Sequence, residues 1–168
     1  AATVKAGGVY LPLNTGYTPS ELDYFLGDAK PRIVVVAQAA EAQIAPIAER
    51  GGAALLTLDA DEGGSLRDGA MTQDTDFTAV PRGSEDLAAI LYTSGTTGRS
   101  KGAKLCHRNL LSNAEVLRDY WRFTADDVLL HMLPIYHTHG LFVASNLLAM
   151  VGGSMIFLPK FSADAALA

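Results

Sequence analysis

An α/β fold, with a layered, largely parallel sheet and helices on its faces, is predicted by three features of this sequence. Short apolar runs alternate along the chain with longer segments in which apolar residues recur at helical spacing. Glycine pairs or prolines end several of these segments, as at Gly51-Gly52 and Pro134. The run Ile33–Val36 is apolar at every position, as expected of a parallel strand that is buried on both faces. Together these features predict strands and helices in βαβ order.

The composition indicates a globular domain and argues against nucleic acid and membranes as partners. The chain has 168 residues, 49% hydrophobic and 18% charged, which is enough for one sizeable core. A net charge of −5 provides no overall basic field, so we expect no nucleic acid and no acidic membrane surface as partner. No apolar run approaches the ~20 residues of a membrane span. The single cysteine, Cys106, excludes an internal disulfide and indicates a reducing cytoplasm. The oligomeric state is left open.

Residues 1–58 are predicted to form a βαβαβ part. A short strand at 8–13 precedes a well-marked helix start, with Thr18 as N-cap, Pro19 at the first helical position and Glu21 three residues beyond the cap. This helix is expected to end before Pro31. The elements predicted next are a buried strand at 33–36, a helix at 39–50 and a strand at 53–58. Residues 59–84 are polar and acidic without a sustained period, which predicts a surface loop or linker.

Residues 85–168 are predicted to continue the alternation. Strands are expected at 87–92, 103–106, 128–133 and 154–158. A helix led by His107 or Asn109 should bury the stripe Leu110, Ala114, Leu117 and Trp121, and a further helix should cover 141–150. The chain opens without a methionine and closes where Ser162 could cap another helix, so we expect an internal piece of a longer protein.

The loop after the strand at 87–92 has the composition of a phosphate site. Backbone N–H groups of a glycine-rich turn can face an anion, hydroxyl groups add donors and a lysine adds a charge. The residues in these roles are Thr93, Ser94, Gly95, Thr96, Thr97, Gly98 and Lys101. It is not a Walker loop, because Gly102 stands where the magnesium-binding Ser or Thr would follow the lysine. The alternative is a flexible polar connector, which the density of the run disfavours.

Two histidines, His137 and His139, follow the strand at 128–133 at the mouth of the helix predicted at 141–150. They are too few for a metal site, and no further ligands stand at a suitable spacing, so no metal is predicted there. By spacing alone, a polar strand-to-helix turn is the favoured interpretation. Because anion sites gather at the carboxyl ends of parallel strands, the histidines and the phosphate loop could face one cleft.

The run from Thr93 to Lys101 resembles, nearly residue for residue, the phosphate signature of the adenylate-forming enzymes: acyl-CoA synthetases, nonribosomal adenylation domains and firefly luciferase. Arg99-Ser100 departs from this signature, since many members carry a proline at the second position. The segment from Pro134 to Gly140 resembles the family's Pro-x-aromatic-His-x-x-Gly motif. The sequence around His137-Thr138-His139 is similar to that of the malonyl-CoA synthetase branch. The resemblance covers nearly the whole chain.

The resemblance implies part of the large N-terminal domain of an acid–CoA ligase. Such an enzyme would join a small carboxylate, malonate by this resemblance, to ATP with Mg²⁺ and pass the acyl group to coenzyme A. The family's phosphate contacts would fall on the loop residues named above, and its acyl pocket on His137, with His139 as a sensor of malonate's second carboxylate. The adenylation lysine of the family lies beyond residue 168, so the chain alone is expected to be inactive.

Two alternatives remain open at this stage. A nonribosomal adenylation domain would load a carrier protein instead of coenzyme A. A non-catalytic piece would at most bind phosphate. Sequence beyond Ala168 would distinguish these two alternatives from each other and from an acid–CoA ligase, because the parts specific to each acceptor would lie there.

Overall fold

A computed structural model describes residues 1–93 and 99–167. Its strands are β1 Ile33–Val36, β2 Ala54–Thr57, β3 Leu87–Thr93, β4 Lys101–Cys106, β5 Val128–His131 and β6 Ser154–Phe157. Its α-helices are α1 Ala2–Lys5, α2 Pro19–Ala29, α3 Glu41–Arg50, α4 Ser65–Met71, α5 His107–Trp121, α6 Asn146–Val151 and α7 Ala163–Leu167. A 3-10 helix covers Gln38–Ala40, and a π-helix covers His139–Ser145. The predicted α/β class is confirmed.

The chain divides into two compact units, one of Thr15–Thr78 and one of Ala1–Asn14 with Ala79–Ala168. In the smaller unit, β1 and β2 pair in parallel with Ile33 opposite Ala54. The residues that α2 and α3 bury are apolar: Phe25, Leu26, Ile44, Ile47 and Ala48. Burial of the Phe, Leu and Ile side chains in this set stabilises the folded unit by roughly 1.5–3 kcal/mol per residue. The predicted strand–helix–strand order of residues 33–57 is therefore confirmed.

Strand β1 is less buried than its sequence predicts. Ile33 and Val35 are 57% and 47% exposed, whereas Val34 and Val36 are half-buried. Exposure alternates along the strand, so one face of this two-stranded sheet is covered and the other is open within the described residues. An apolar run at every position was therefore a poor guide to burial on both faces.

Helix α2 begins as the sequence predicts. The Thr18 hydroxyl accepts a hydrogen bond from the Glu21 amide at 3.4 Å, and the Thr18 amide donates to the Glu21 carboxylate at 2.8 Å. Two amides that the first helical turn would otherwise leave unpaired thus have acceptors. The helix ends at Lys30, which adopts the left-handed conformation at φ 47°.

The prediction of a surface loop or linker at 59–84 is wrong over Ser65–Met71, which form α4. Periodicity could not reveal this short helix, because its start depends on a partner in the preceding strand. The Ser65 amide donates to the Thr57 hydroxyl at 3.0 Å, and the Ser65 hydroxyl accepts from the Thr57 amide at 2.9 Å. These reciprocal contacts hold the first helical residue against the end of β2.

The larger unit contains two strand pairs. Strands β5 and β6 are parallel, with Val128 opposite Ser154, but β3 and β4 are antiparallel, with Tyr92 opposite Gly102. Two of the three strand pairs among the described residues are thus parallel, as a largely parallel sheet requires, and β3–β4 is the antiparallel exception; β4 begins at Lys101 instead of residue 103. The strand predicted at 8–13 is a single bridge of Tyr10 to Ala89.

The remaining predicted boundaries hold in part. Helix α5 begins at His107, one of its two predicted first residues, behind Cys106, whose amide donates to the Asn109 side chain at 2.9 Å. Of its predicted stripe, Ala114 is buried, but Trp121 at the end of the helix is 48% exposed. The helix predicted at 141–150 consists of the π-helix followed by α6. Strand β5 ends at His131, two residues before the predicted end, because its ladder with β6 ends at the pair His131–Phe157.

The core of the larger unit joins these elements. Buried Ala89 and Leu91 of β3 pack with Phe142 of the π-helix, and Leu105, Leu110 and Leu141 surround them. Within residues 1–93 and 99–167, no helix combines the length and the apolar character that crossing a bilayer requires.

Candidate active site

The predicted phosphate loop connects the two strands of an antiparallel hairpin. Thr93 ends β3 and Lys101 begins β4, and the two are the last residue pair of the ladder. Both side chains are exposed. Ser94, Gly95, Thr96, Thr97 and Gly98 lie outside the described residues, so their phosphate contacts stay a prediction. The structure places the two flanking site residues side by side, at the two ends of this loop.

Lys101 is a cation that no carboxylate neutralises among the described residues. Arg108, by contrast, donates to the Glu85 carboxylate at 2.7 Å. This hydrogen bond, and the Coulomb attraction that accompanies it, raise the pKa of the Arg108 guanidinium. Positive charge is therefore available to an anion at Lys101, whereas at Arg108 it is engaged by a neighbouring carboxylate.

A close contact behind the hairpin end accounts for Gly102. A Cβ at this position would lie 3.1 Å from Cγ2 of Ile90 and 3.4 Å from Cζ of Tyr92. The tight neighbour is the Ile90 methyl, whereas the Tyr92 ring directly across the ladder would be in ordinary contact. A larger residue at position 102 would therefore require the Ile90 side chain to shift.

The two predicted substrate histidines lie on an exposed turn. His137 and His139 are both exposed, and the amide of His137 donates to the carbonyl of Pro134 at 3.2 Å. The carbonyl of His137 in turn accepts from the amide of Leu141 at 3.0 Å, which starts the helix. Neither imidazole hydrogen bonds to another described residue, so both can donate to a ligand. The rings of Tyr136 and His137 are 5.7 Å apart.

A third histidine, His131, was not predicted to matter and lies beneath this turn. It is 2% exposed, and its Nε2 lies 2.8 Å from the carbonyl oxygen of Gly140. The hydroxyl of Ser145 donates to the same oxygen at 2.9 Å. The signal in the sequence was weak: a histidine at the end of an apolar strand, just ahead of a proline.

One hydrophobic core supports both parts of the candidate site. Leu91, two residues before Thr93, and Phe142, three residues after His139, belong to the same buried cluster. The hairpin end and the histidine turn are therefore held by one rigid set of side chains. Whether they face a common cleft stays a prediction, because the loop between Thr93 and Arg99 is outside the described residues.

A small cavity lies next to the histidine turn. It measures about 150 Å³, and Thr138, the residue between the two histidines, forms part of its wall. Its other lining residues are Leu105, Asn109, Leu110, Asn113, Phe142 and Val143. Neither histidine lines it, so in this structure the cavity and the imidazole groups are separate features.

No metal site is visible in the described part of the chain. Residues 1–93 and 99–167 contain no group of three or more His, Cys, Asp and Glu side chains arranged to hold a metal ion. Among these residues, His137 and His139 have no protein partners for metal ligation, and their role as substrate contacts stays a prediction.

Comparison with known proteins identifies the family. The model of the AMP-binding enzyme family matches residues 1–168. This chain belongs to the AMP-binding enzymes. It is 39% identical, over 166 residues, to the mouse (Mus musculus) mitochondrial malonate–CoA ligase ACSF3, a match that covers 97% of this chain and 27% of that protein. The resemblance to adenylate-forming enzymes is thereby confirmed.

Solved structures of this family share the fold of the chain. ATP-bound MatB from Rhodopseudomonas palustris is 63% identical, with a TM-score of 0.95, over 99% of this chain and 33% of MatB. A malonyl-CoA ligase in a ternary product complex with methylmalonyl-CoA and AMP is 32% identical with a TM-score of 0.76, over 98% of this chain and 33% of that protein. The chain thus spans about a quarter to a third of the length of these AMP-binding enzymes.

Proposed function

We propose that this chain supplies the pyrophosphate-holding loop and part of the acid-binding surface of an ATP-dependent, AMP-forming ligase that joins malonate to coenzyme A. The observation that carries the proposal is the pairing, at the end of the β3–β4 hairpin, of exposed Thr93 with Lys101, which has no carboxylate partner among residues 1–93 and 99–167. A hydroxyl and an ammonium group there flank a loop of glycines and hydroxyl residues. The names of the malonate–CoA ligase and MatB relatives support the choice of reaction.

The reaction consists of two displacements. A carboxylate oxygen of malonate attacks the α-phosphorus of ATP, the bond from that phosphorus to the bridging oxygen breaks, and pyrophosphate leaves with the electron pair. The sulfur of coenzyme A, having lost its proton, then attacks the acyl carbon, and AMP leaves. Negative charge builds on the pyrophosphate in the first step only. Donors aimed at that charge accelerate this step most, and Lys101 is suited to the role.

The histidine turn is assigned to the acid. Malonate carries two carboxylates, so a selective enzyme needs donors for both the reacting group and the distal one. His137 and His139 are exposed and not hydrogen bonded to other described residues. In this proposal His137 holds the reacting carboxylate, and His139 contacts the distal carboxylate.

ATP, Mg²⁺ and coenzyme A complete the proposed set of ligands. ATP is bound in the MatB structure, and methylmalonyl-CoA and AMP are bound in the malonyl-CoA ligase complex, which supports this nucleotide and this acceptor. The described residues hold no cluster of metal ligands, so we assign none of them to Mg²⁺. The mouse relative's name favours coenzyme A over a carrier protein as acceptor. A cytoplasmic location remains a proposal from the single cysteine.

A chimera tests the proposed function. In it, residues 1–168 replace the matching segment of R. palustris MatB, and unmodified MatB serves as the control. We expect malonate- and ATP-dependent loss of free coenzyme A thiol, with turnover close to that of the control and faster than with acetate. A folded chimera with an unchanged melting temperature and no malonate-dependent loss of thiol would overturn the proposal.

A further inference from the structure

His131 is the last residue of β5 and one of the most completely buried large side chains among the described residues, at 2% exposure. Its ring stacks on that of Phe157 in the neighbouring strand β6, with 4.6 Å between the centroids and 28° between the planes. The pairing of the two strands places these residues directly opposite each other. The imidazole is therefore held in one orientation by packing.

The contacts of this imidazole define its tautomer. Nε2 lies 2.8 Å from the carbonyl oxygen of Gly140, which can only accept. The hydrogen must therefore be on Nε2. Ser145 adds a second donor to the same carbonyl at 2.9 Å, and its oxygen lies 3.3 Å from Nε2. Two buried or half-buried side chains thus converge on one backbone oxygen.

The other ring nitrogen has no such contact. Nδ1 of His131 is buried and has no hydrogen-bond partner among the described residues. An unpaired buried polar atom costs about 1–3 kcal/mol, a cost that an apolar residue of similar size would avoid. A histidine at this position provides the hydrogen bond to the carbonyl of Gly140, which an apolar residue cannot form.

That contact closes the segment that bears the exposed histidines. His131 and Gly140 are nine residues apart, so their hydrogen bond joins the end of β5 to the second residue of the π-helix. Gly140 also packs on the start of the segment, since a Cβ there would lie 2.4 Å from the carbonyl oxygen of Pro134. His137 and His139 lie between these two fixed points. Their positions depend on where Gly140 is held.

We propose that His131 is a positioning residue for the acid-binding turn: through the carbonyl of Gly140, it orients His137 and His139 toward the substrate without touching the substrate itself. This inference rests on the proposed function for its kinetic consequence. Its structural half, the ordering of the turn, stands on the contacts alone. The two halves are tested separately.

The kinetic test uses the chimera with two substitutions that differ in one respect. His131→Gln keeps an N–H donor at about the reach of Nε2, whereas His131→Leu fills the space without a donor. Loss of a neutral hydrogen bond of ~1 kcal/mol predicts about a fivefold rise in the KM for malonate in the Leu variant. The KM for ATP should be unchanged, and Gln should restore most of the loss. An unchanged malonate KM, or equal rises for malonate and ATP, would overturn the positioning role.

The structural test uses hydrogen exchange in the 168-residue chain. Replacing His131 by Leu, or more mildly Ser145 by Ala, should speed exchange of the Leu141 amide at least threefold while amides of the mid-helix residues of α5 keep their rates. Equal acceleration in α5 and at Leu141, or no change at Leu141 in either variant, would show that His131 serves only the core. An inactive chimera in which Leu141 still exchanges faster in the variants would refute the proposed function and leave the ordering of the turn standing.

Discussion

Thr93 and Lys101 face each other as the last residue pair of the β3–β4 ladder, one at each end of the glycine- and hydroxyl-rich loop. Antiparallel pairing brings the two ends of the loop together, so a hydroxyl group and an ammonium group lie beside its entrance and exit. The ladder fixes the positions of these two groups relative to each other, so their placement adds little to the ordering cost of binding an anion.

Gly140→Ala should destabilise the chain. The added Cβ would lie 2.4 Å from the carbonyl oxygen of Pro134, a distance that requires the backbone to move. Overpacking of this kind typically costs about 1–3 kcal/mol. The free energy of unfolding in urea should fall by such an amount.

Gly27→Ala provides the matched control for that substitution. Gly27 is exposed within α2, and a Cβ there would meet nothing within 4 Å. Alanine in place of glycine inside a helix stabilises by roughly 0.5–1 kcal/mol. The two substitutions should therefore shift the urea midpoint in opposite directions. A shift in the same direction for both would contradict the close contact at Gly140.

The capping box of α2 predicts a pH dependence of stability. A hydrogen bond from the Thr18 hydroxyl, and a second from the Thr18 amide, lower the pKa of the Glu21 carboxyl below its usual value of 4.5. A group with a lowered folded pKa contributes stability above its unfolded pKa and loses it as the pH falls through the folded pKa. Thermal stability should thus decline below about pH 4.5 in part through Glu21.

Substitutions in the capping box test that dependence. Thr18→Ala should lower stability at neutral pH by about 1 kcal/mol and reduce the decline at low pH. Glu49→Gln, at an exposed carboxylate without an ion pair among the described residues, should leave the decline intact. An identical pH profile for Thr18→Ala and the unsubstituted chain would count against the capping box.

Substitution of the two histidines should separate their roles. In the chimera, His139→Ala should raise the KM for malonate by tenfold or more while leaving acetate unaffected, because a charge-assisted hydrogen bond contributes ~1.5–3 kcal/mol. His137→Ala should raise the KM for malonate and for acetate, since both acids present a reacting carboxylate. Initial-rate measurements with malonate and acetate decide between the two. Equal losses for both acids at His139 would assign that residue a structural role.

Local chemistry predicted most of the fold, and tertiary contacts account for the rest. The Thr18–Glu21 cap and the alternation of strands and helices were visible because both depend on neighbours in sequence. Helix α4 was missed because its start depends on Thr57, eight residues earlier. The antiparallel direction of β4 was equally hidden, since a strand's residues do not state the direction of its partner.

In the candidate site, too, residues in local motifs were predicted and a residue that depends on a tertiary contact was not. Sequence motifs predicted four site residues that the structure shows to be exposed: Thr93 and Lys101 at strand ends, and His137 and His139 on the turn before or at the start of the π-helix. His131 was missed because its role comes from a contact to a backbone carbonyl nine residues away. Pattern reasoning finds side chains that meet ligands more readily than side chains that hold those residues in place.

The most direct measurement for the phosphate assignment is malonate-dependent exchange of labelled pyrophosphate into ATP by the chimera, with Lys101→Ala compared with Lys104→Ala. Lys104 lies three residues along the same strand, is also exposed, and points to the opposite face of the hairpin. Because pyrophosphate leaves in the first step, Lys101→Ala should slow exchange tenfold or more, as expected for loss of a charged contact of ~1.5–3 kcal/mol. The same substitution should slow thioester formation from preformed malonyl-adenylate much less. The Lys104→Ala chimera should catalyse pyrophosphate exchange at the same rate as the unsubstituted chimera. Unchanged exchange in Lys101→Ala would contradict the assignment.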